Sequence, residues 1–483
     1  MKNNLLRIIK KVKGIWVVFL TSNLIILATG SAQLNEATPS ASPEPSPFVA
    51  QTNQTAFLAS TPTRSFKKDP TGSFYEDELI VHFKSNVTAS QKQELLLQAG
   101  KILYEGRSKS FLLKVDPVQR DRIFAALKAH SNVEYVSYNT VGHANEGGGG
   151  APAGGGGSSS CSPNDPYYCY FYSNIGVKQW GLTKIEAPTA WLFNKGSSSV
   201  KIAVLDSGVD YNRVDLNGGK VIKGVDLIPE PNDNDPMDES SISHGTAVAG
   251  VAAANTNNAQ GIAGVDWYAK IVAIRTSPGY LGNSDPYFFA EGIYRAVDDH
   301  HAQVINISYS FADDVPDLRN AVEYAQTDGG AIIVASAYYP PGGGLYPANP
   351  SACFMEFPAA YFGVISVVAT DEGNNLAYGC TGNVKGGTTY QPIQIAAPGR
   401  NIISLIRGSD QVALYNGTSV AAPHVAGVAS VLRSCTSESK TEAVYDIILG
   451  AYDVGTPGWD NKFGFGVLNM NKSLERARLR GDC

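Results

Sequence analysis

The sequence predicts two folded parts, a small α+β domain followed by a larger α/β domain with a doubly wound, mostly parallel sheet. Three observations lead to this prediction. Residues 77–140 show strand and helix patterns in the order βαββαβ, and residues from about 161 to 483 show short apolar runs separated by helical stretches. Between them, the glycine- and serine-rich stretch 146–160 is typical of a flexible, protease-accessible linker.

Composition limits the function classes. The chain has 483 residues and a net charge of −6, and 43% of its residues are hydrophobic. This hydrophobic content is enough for a large packed core. A weakly acidic chain does not match nucleic acid or an anionic membrane surface as its main partner. We therefore expect a globular protein with no nucleic-acid partner and no stable membrane partner.

The first 32 residues are typical of an export signal. Basic residues between Lys2 and Lys13 precede the apolar run "GIWVVFLTSNLIILATG", and the small residues "GSA" suit cleavage after Ala32. An uncleaved membrane anchor is the alternative, although Ser22 and Asn23 interrupt the apolar run. No later apolar run is long enough to span a bilayer. The prediction is a secreted protein, periplasmic or extracellular.

Residues 33–145 divide into a spacer and a folded domain. Residues 33–76 are rich in Pro, Ser, Thr, Ala and Gln, which is typical of a disordered spacer. The βαββαβ order that follows is that of a ferredoxin-like split βαβ unit. This part has no cysteine and no cluster of catalytic groups, so its residues alone indicate a structural domain. Its elements are predicted at 78–83, 88–100, 101–106, 111–116, 117–130 and 133–139.

The larger part contains nearly continuous apolar runs. Such runs are typical of parallel strands that are covered on both faces, and helical stretches at 287–300 and 317–329 lie between them. In a doubly wound sheet, active groups are expected at the carboxyl ends of the strands. The predicted strands are 200–206, 270–275, 303–308, 331–336, 364–369 and 393–397.

All six cysteines follow residue 160. With an export signal, an even count predicts disulfides, and the absence of a C-x-x-C pair weakens a zinc site. The sequence leaves the connectivity open, and short loops favour sequential pairing. That pairing is Cys161–Cys169, Cys353–Cys380 and Cys435–Cys483.

Three residues are candidates for catalysis, although each has an ordinary structural explanation when taken alone. Asp206 closes the first strand of the larger part, where an Asp often caps a turn. His244 precedes an apolar helix, where a histidine often only donates a structural hydrogen bond. Ser419 precedes a helix as an N-cap serine does, and a backbone N–H in the first turn can bind an oxyanion. Pro423 is tolerated near a helix start.

Taken together, the stretches around these three residues resemble the motifs of one known family. "VLDSGVD", "HGTAVAG" and "NGTSVAAPHVAGVA" resemble the active-site signatures of the subtilisin-like serine proteases, in the chain order Asp–His–Ser. The resemblance covers about residues 164–472. It implies a subtilisin-like peptidase domain at 161–483, in which Ser419 is the nucleophile, His244 the base and Asp206 its orienting carboxylate. Further similar blocks are "QWGLTKIEAPTAW", "NNAQGIAGV", "AAPGRNI" and "FGFGVLNM".

The sequence departs from this family at the oxyanion site. Members of the family usually have an Ala-Gly-Asn whose Asn donates to the oxyanion, but this chain has "ASAYYPPGGG", with Tyr338 and Tyr339 at the Gly-Asn positions. Loss of one such donor costs about 10²–10³ in rate. Tyr339 is the candidate replacement donor. The alternative function is a secreted, catalytically weak or inactive binding protein on a protease scaffold.

Residues 77–145 resemble the inhibitory propeptide of the same family. The resemblance implies that the tail "TVGHAN" (140–145) lies in the substrate cleft as an added strand. It also implies a precursor that cleaves itself between Asn145 and Glu146, after which the linker lets the new amino end move away. The propeptide would then be a partner and inhibitor of the mature enzyme, which we expect to be a monomer.

The resemblance also implies residues that bind substrate and calcium. Ser308, Tyr309, Ser310 and Gly279 are expected at the edges of the cleft, which receives protein or peptide substrates. A structural Ca²⁺ is expected in "NTNNAQGI", with an ordinary turn as the alternative, and no catalytic cofactor is expected. The acidic loop 232–239 is predicted to be solvated because it shows no regular ligand spacing, with a second calcium site as the alternative. The expected calcium ligands are side-chain oxygens of Asp215 and Asn258 and backbone carbonyls of Thr256, Gln260 and Ile262.

Overall fold

The structure is a computed structural model that describes residues 66–69, 72–144, 146–148, 161–169, 178–229, 233–279, 284–337, 355–378, 391–435 and 439–483. Thr63–Cys483 form one compact unit. The predicted export signal and most of the predicted spacer lie outside the described residues. Among the residues that are described, no helix has both the length and the apolar character needed to cross a membrane.

Strands outnumber helices along the described part of the chain. The strands are β1 (Phe66–Asp69), β2 (Gly72–Phe83), β3 (Lys101–Glu105), β4 (Ser110–Lys114), β5 (Val133–Thr140), β6 (Gly142–Ala144), β7 (Glu146–Gly148), β8 (Lys201–Asp206), β9 (Val221–Asp226), β10 (Lys270–Arg275), β11 (Val304–Ile307), β12 (Tyr309–Phe311), β13 (Ile332–Ser336), β14 (Ile365–Thr370), β15 (Leu376–Tyr378), β16 (Ile395–Pro398), β17 (Ile402–Ile406) and β18 (Ser409–Gly417). The helices are α1 (Ala89–Ala99), α2 (Arg120–Ala129), α3 (Pro166–Cys169), α4 (Trp180–Lys184), α5 (Ala187–Ala190), α6 (His244–Ala253), α7 (Pro286–Asp298), α8 (Pro316–Thr327), α9 (Thr418–Arg433), α10 (Lys440–Gly450) and α11 (Met470–Arg480).

The N-terminal domain, β1 to β5 with α1 and α2, is an antiparallel sheet covered by two helices. Its central strand β2 pairs with β1, β4 and β5, and β3 pairs with β4. The predicted order βαββαβ is confirmed. Thr88 and Gln91 form a capping box at the start of α1, because each side chain binds the other residue's backbone N–H.

The predicted spacer is wrong at its C-terminal end. Residues 66–69 pair with residues 72–75 as a hairpin, and β2 therefore begins before residue 77. The side chains of Phe74 and Tyr75 are buried, and the Phe74 ring stacks on Tyr138 with 5.2 Å between ring centroids. These aromatic residues have a core to pack against, which the polar composition of the surrounding residues obscured.

The large sheet of the second domain is doubly wound. Its strand order is β15-β14-β13-β11-β8-β10-β9, with β16 also paired to β14. Every pair is parallel except β14 with β15. The six predicted strands are confirmed as β8, β10, β11, β13, β14 and β16. The winding reverses at β8, between its neighbours β10 and β11, and this is where ligands bind in such sheets.

Both faces of this sheet are buried. Along β8, Ile202 and Val204 pack into the hydrophobic cluster that includes α6 and α9, whereas Ala203 and Leu205 pack into the cluster that includes α7 and α8. This second cluster also contains Ile80 and Leu112 of the N-terminal domain. The predicted helices at 287–300 and 317–329 are confirmed as α7 and α8, which lie between the large sheet and the N-terminal domain.

Two small sheets connect the domains. After β5, β6 pairs antiparallel with β12, and β7 pairs antiparallel with β18, which also pairs with β17. The first residues of the predicted linker, 146–148, are therefore a strand, and residues 149–160 lie outside the described part. Two predicted disulfides are confirmed, Cys161–Cys169 and Cys435–Cys483, and the predicted pair Cys353–Cys380 lies outside the described residues.

Candidate active site

The fold brings the three candidate residues to one region at the carboxyl edge of the sheet. Asp206 is the last residue of β8, His244 is the first residue of α6 and Ser419 is the second residue of α9. All three are fully buried. His244 Nδ1 lies 2.6 Å from Asp206 Oδ1, and the same oxygen accepts a hydrogen bond of 2.7 Å from the Ser207 backbone N–H. The carboxylate therefore has a fixed orientation towards the imidazole.

Ser419 is held by a reciprocal pair of hydrogen bonds with Ser308. The Ser419 hydroxyl donates to the Ser308 carbonyl oxygen at 3.2 Å, and the Ser308 hydroxyl donates to the Ser419 carbonyl oxygen at 2.8 Å. In an α-helix that carbonyl would accept from the residue four positions later, which is Pro423 and has no N–H. Ser308 thus provides the donor that Pro423 lacks. The sequence analysis assigned Ser308 to substrate binding, but its described contacts position Ser419.

A buried carboxylate, Asp238, connects the elements behind His244. It accepts hydrogen bonds from the Ser207 hydroxyl at 3.0 Å, the Ser240 N–H at 2.9 Å and the Thr246 hydroxyl at 2.6 Å. Burial raises the pKa of the Asp238 carboxyl. The prediction of a solvated loop at 232–239 is wrong at this residue. The loop's composition hid this role, although Asp238 lies only six residues before His244.

The tail of the N-terminal domain occupies one side of the site. Tyr309 pairs with Ala144, Ser310 with residue 143, and Phe311 with Gly142. On its other edge, Gly142 exchanges two backbone hydrogen bonds with Ser284, at 2.6 and 3.1 Å. Tyr309 also contacts the imidazole of His244 edge-on, with 5.1 Å between ring centroids. Tyr309 and Ser310 therefore lie beside the tail, and their role in binding substrate stays a prediction.

The opposite edge differs from the prediction. Ser284, rather than Gly279, is the residue described as pairing with the tail. Gly279 has a φ of +80° and lies against Ser240 and Ser207, so it forms a turn behind the cleft. Its backbone N–H donates to the Ser277 hydroxyl at 3.1 Å, and the Ser277 hydroxyl is 2.7 Å from that of Ser284. Residues 280–283 lie outside the described part of the chain.

The chain continues past the site on its other side. Residues 146–148 pair antiparallel with Tyr415–Gly417, a segment that ends two residues before Ser419. Residue 145 joins the two paired segments and lies outside the described residues. Tyr338 and Tyr339, which replace the usual oxyanion residues, also lie outside them. On the cleft strand, the Ser310 hydroxyl donates to the Glu356 carboxylate at 2.6 Å.

Comparison with known proteins decides the family. Residues 197–466 match the Subtilase family (Peptidase_S8). The chain belongs to the subtilase family. This subtilase is 36% identical over 371 residues to the thermophilic serine proteinase of Bacillus sp. (strain AK1), across 75% of this chain and 79% of that protein. It is 36% identical over 274 residues to thermitase of Thermoactinomyces vulgaris, across 56% of this chain and 86% of that protein.

A solved structure agrees with the fold of this subtilase. It is similar to the crystal structure of fervidolysin from Fervidobacterium pennivorans, which is described as a keratinolytic enzyme related to subtilisin. The TM-score is 0.64, the identity is 24%, and the match covers 84% of this chain and 62% of that chain. The subtilisin-like α/β fold is therefore confirmed. Family membership makes the protein a serine endopeptidase that acts on protein or peptide substrates.

The calcium ligands expected for this subtilase lie in one loop region. Asp215 accepts hydrogen bonds from the Ile262 N–H at 2.8 Å and the Asn258 side-chain amide at 2.9 Å. A second carboxylate, Asp165, accepts from the backbone N–H groups of Asn257 and Asn258 at 2.8 and 3.1 Å. The sequence analysis missed Asp165, because it lies far from Asp215 along the chain. No group of three or more His, Cys, Asp and Glu side chains suited to a metal occurs among the described residues.

Both carboxyl groups in this loop region have raised pKa values. Burial, more than any other cause, raises the pKa of Asp215 to about 7, and the nearby charge of Asp165 raises it further. Burial also raises the pKa of Asp165 to about 6. Two buried carboxylates with little neighbouring positive charge are suited to bind a hard divalent cation. In the same loop, Thr256 is half-buried and Gln260 is exposed.

Proposed function

We propose that this subtilase is a secreted endopeptidase that uses Asp206, His244 and Ser419 as its catalytic triad and is made as a self-processed precursor. One observation supports this triad more strongly than the other observations do. His244 and Asp206 come from different elements, are fully buried, and lie 2.6 Å apart at the point where the sheet reverses its winding. A histidine and a carboxylate that only capped their own helices or turns would not need this contact.

The mechanism follows from the tautomer of His244. Because Nδ1 donates to Asp206, Nε2 carries the lone pair that accepts a proton. Ser419 Oγ attacks the substrate carbonyl carbon while its proton passes to Nε2. The imidazolium, stabilised by the Asp206 carboxylate, then protonates the leaving amine as the peptide C–N bond breaks. Water repeats these steps on the acyl-enzyme and releases the acid.

The oxyanion of the tetrahedral intermediate needs donors near Ser419. The backbone N–H of Ser419 lies in the first turn of α9, where helical N–H groups have no intrahelical acceptor. We propose it as one donor. The family's usual second donor is an asparagine, and we retain the Tyr339 hydroxyl as the candidate replacement. One missing donor costs about 3–4 kcal/mol of transition-state stabilisation, which slows the enzyme without abolishing catalysis.

Self-processing is supported by the pairing of the tail. Residues 142–144 and 146–148 are paired on opposite sides of residue 145, against strands that lead to Tyr309 and to Ser419. An extended substrate bound by strand addition would follow the same path. We propose that the bond between Asn145 and Glu146 is cleaved, and that the propeptide at 77–145 then remains bound as an inhibitor.

A structural calcium ion fits the loop region of Asp165 and Asp215. Their carboxylates would hold the cation together with backbone carbonyls of Thr256, Gln260 and Ile262. The Asn258 oxygen would join them only if the side chain gives up its hydrogen bonds to Asp215 and from the Gln260 N–H. We propose that the ion stabilises the fold and takes no part in catalysis. Export through a signal at 1–32 completes the proposal, together with a monomeric mature enzyme that begins at Glu146 and carries the linker at its new amino end.

A fluorophosphonate probe tests the proposed enzyme. Processed wild-type protein is expected to form a covalent adduct at Ser419, and Ser419→Ala is expected to form none. His244→Ala should label much more slowly because the base is lost. Ser430→Ala, which changes a buried serine on the same helix away from the site, should label normally if it folds. Processed, folded wild-type protein that stays unlabelled would instead support the alternative, a binding protein on a protease scaffold.

A further inference from the structure

Gly142 is tightly enclosed in the cleft. Its backbone is paired with Phe311 on one edge and with Ser284 on the other. A Cβ added at Gly142 would lie 2.2 Å from Phe311 Cε1, 2.4 Å from Phe311 Cδ1 and 2.8 Å from the Ser310 carbonyl oxygen. Gly142 is not among the glycines with positive φ. The lack of space, rather than an unusual backbone conformation, is what requires glycine at this position.

The Phe311 side chain has little freedom to move aside. It is fully buried, and its ring packs edge-on against Phe289 with 5.3 Å between ring centroids. The Phe311 backbone exchanges hydrogen bonds of 2.8 and 2.9 Å with Phe357. The other atom close to a Cβ at position 142 is the Ser310 carbonyl oxygen, which belongs to the backbone. A side chain at position 142 would therefore have to displace a packed aromatic ring and a paired strand.

Position 142 defines a subsite. If the scissile bond follows residue 145, as proposed above, Gly142 is the fourth residue upstream of that bond. Any substrate that pairs with β12 in the same register presents its own fourth residue to the Phe311 ring. In an extended substrate, the backbone of this residue pairs with the strands on both sides of the cleft, and its side chain meets the Phe311 ring.

We propose that Phe311 closes this upstream subsite and makes the enzyme selective for glycine four residues before the cleaved bond. The inference rests on the proposed register of self-cleavage. The substrates it selects are extended protein segments with glycine at that position. A residue with a large apolar side chain there is excluded. The propeptide satisfies the same requirement with Gly142, so Phe311 restricts the propeptide and the substrates at the same position.

Peptide hydrolysis tests the proposal directly. The mature enzyme is given fluorogenic amides of Gly-His-Ala-Asn, Ala-His-Ala-Asn and Leu-His-Ala-Asn, and kcat/KM is measured for each. Replacing the first residue by Ala is expected to lower kcat/KM about 10- to 100-fold, as overpacking of a filled site does, and Leu is expected to lower it further. Replacing His by Ala in the Gly peptide serves as the matched control and should change kcat/KM by much less.

Variants of Phe311 are expected to relax the preference for glycine. Phe311→Ala is expected to raise kcat/KM for the Ala and Leu peptides relative to the Gly peptide. Phe311→Leu, which keeps more of the buried volume, should do so to a smaller extent and covers the case in which Phe311→Ala does not fold. Equal kcat/KM for the three peptides with wild-type enzyme would overturn the proposal, even if catalysis itself is normal.

A binding measurement separates this proposal from the proposed function. In the uncleaved Ser419→Ala precursor, hydrogen–deuterium exchange reports on the pairing of residues 142–148 and needs no catalysis. Gly142→Ala should speed exchange there, and adding Phe311→Ala should restore protection. Unchanged protection in Gly142→Ala contradicts the closed subsite. Failure of the fluorophosphonate probe to label Ser419, with these exchange results as expected, would overturn the catalytic proposal alone.

Discussion

Pro423 is the residue that accounts best for how Ser419 is held. A proline inside a helix leaves the carbonyl four residues earlier without its helical donor, and that carbonyl belongs to Ser419. The Ser308 hydroxyl donates to it at 2.8 Å, and the side-chain amide of Asn306 in turn donates to the Ser308 hydroxyl at 2.9 Å. The end of β11 is therefore connected to the start of α9 by hydrogen bonds that the proline makes necessary.

Ser308→Ala tests this connection. It leaves the buried Ser419 carbonyl without its donor, so we expect it to lower the free energy of unfolding by about 1–3 kcal/mol. Urea denaturation would be measured in a Ser419→Ala background, which prevents self-digestion. Ser404→Ala is the matched control, because the Ser404 hydroxyl donates to the Ala247 carbonyl, which lies in an uninterrupted helix. Equal losses in the two variants would contradict the role given to Pro423.

Because His424 is buried, we expect the protein to lose stability in acid. Burial lowers its pKa to about 4, and its Nδ1 lies 2.8 Å from the Val420 carbonyl oxygen. Because the unfolded chain binds this proton more readily, the contribution of His424 is complete above its unfolded pKa of about 6.5 and decreases by up to about 3 kcal/mol as the pH falls to 4.

The comparison with His424→Gln isolates this effect. The raised pKa values of Asp165 and Asp215 act in the opposite direction over part of the same range, so the wild-type profile alone is ambiguous. The free energy of unfolding of both proteins would be measured from pH 4 to 8. Their difference is expected to grow between pH 6.5 and 4, in favour of the glutamine variant. A constant difference would exclude a buried neutral histidine.

At the scale of elements, sequence patterns predicted what hydrophobic burial determines. The six buried parallel strands are continuous apolar runs, and all were predicted. β9 is half-exposed, while β12 and β15 have three residues each, so neither length nor pattern identified them. The proposed triad was identified from sequence signatures, but Asp238 and Asp165 were not. Their roles come from burial by loops distant in the chain, which no local pattern reveals.

The loop after α6 predicts a calcium-dependent stability. Without metal, the carboxyls of Asp165 and Asp215 have pKa values raised to about 6 and 7, so the folded state loses stability as the pH rises from the usual carboxyl pKa of about 4 to these values. Bound Ca²⁺ requires the deprotonated carboxylates. The difference in Tm between calcium and EDTA is therefore expected to be larger at pH 8 than at pH 5.

Two variants complete the calcium experiment. Asp215→Asn should remove most of the response of Tm to calcium at pH 8. Asp233→Asn, which changes an exposed residue of the acidic loop, should keep it. A wild-type Tm that is the same in calcium and EDTA at pH 8 would show that the loop is an ordinary turn.

At the scale of the whole molecule, the N-terminal domain docks on α7 and α8 through polar contacts. The Arg107 side chain forms ion pairs with Asp298 at 3.6 Å and Asp299 at 2.8 Å, and its backbone N–H donates to Glu291 at 2.6 Å. The Ser110 hydroxyl donates to Asp317 at the start of α8. This interface buries charged groups that release of the N-terminal domain would expose to water.

Asp317 predicts tighter binding of the N-terminal domain in acid. Burial in the complex raises its pKa to about 6, although hydrogen bonds from Ser110 and Tyr135 oppose the shift. The complex therefore binds a proton more readily than the separated enzyme, and its affinity should fall by at most about 100-fold as the pH rises from 4 to 7. His82, whose pKa is lowered by burial next to Ser110, acts in the opposite direction.

Size-exclusion chromatography of the processed complex measures this effect. Ser419 is first blocked with fluorophosphonate, so that the released N-terminal domain is not digested. We expect more of it to stay bound at pH 5 than at pH 7.5, and Asp317→Asn should reduce this difference. A wild-type complex that dissociates more at pH 5 than at pH 7.5 would contradict the role given to Asp317.

The central claim is that Ser419, activated by His244 and Asp206, cleaves the chain's own tail where it crosses the site. Intact-mass spectrometry of precursor purified in the unprocessed state and then incubated alone tests it most directly. Wild-type protein is expected to yield a fragment that ends at Asn145 and one that begins at Glu146, and Ser419→Ala is expected to remain whole. The same two fragments from Ser419→Ala, or a wild-type cut well before residue 140, would contradict the account.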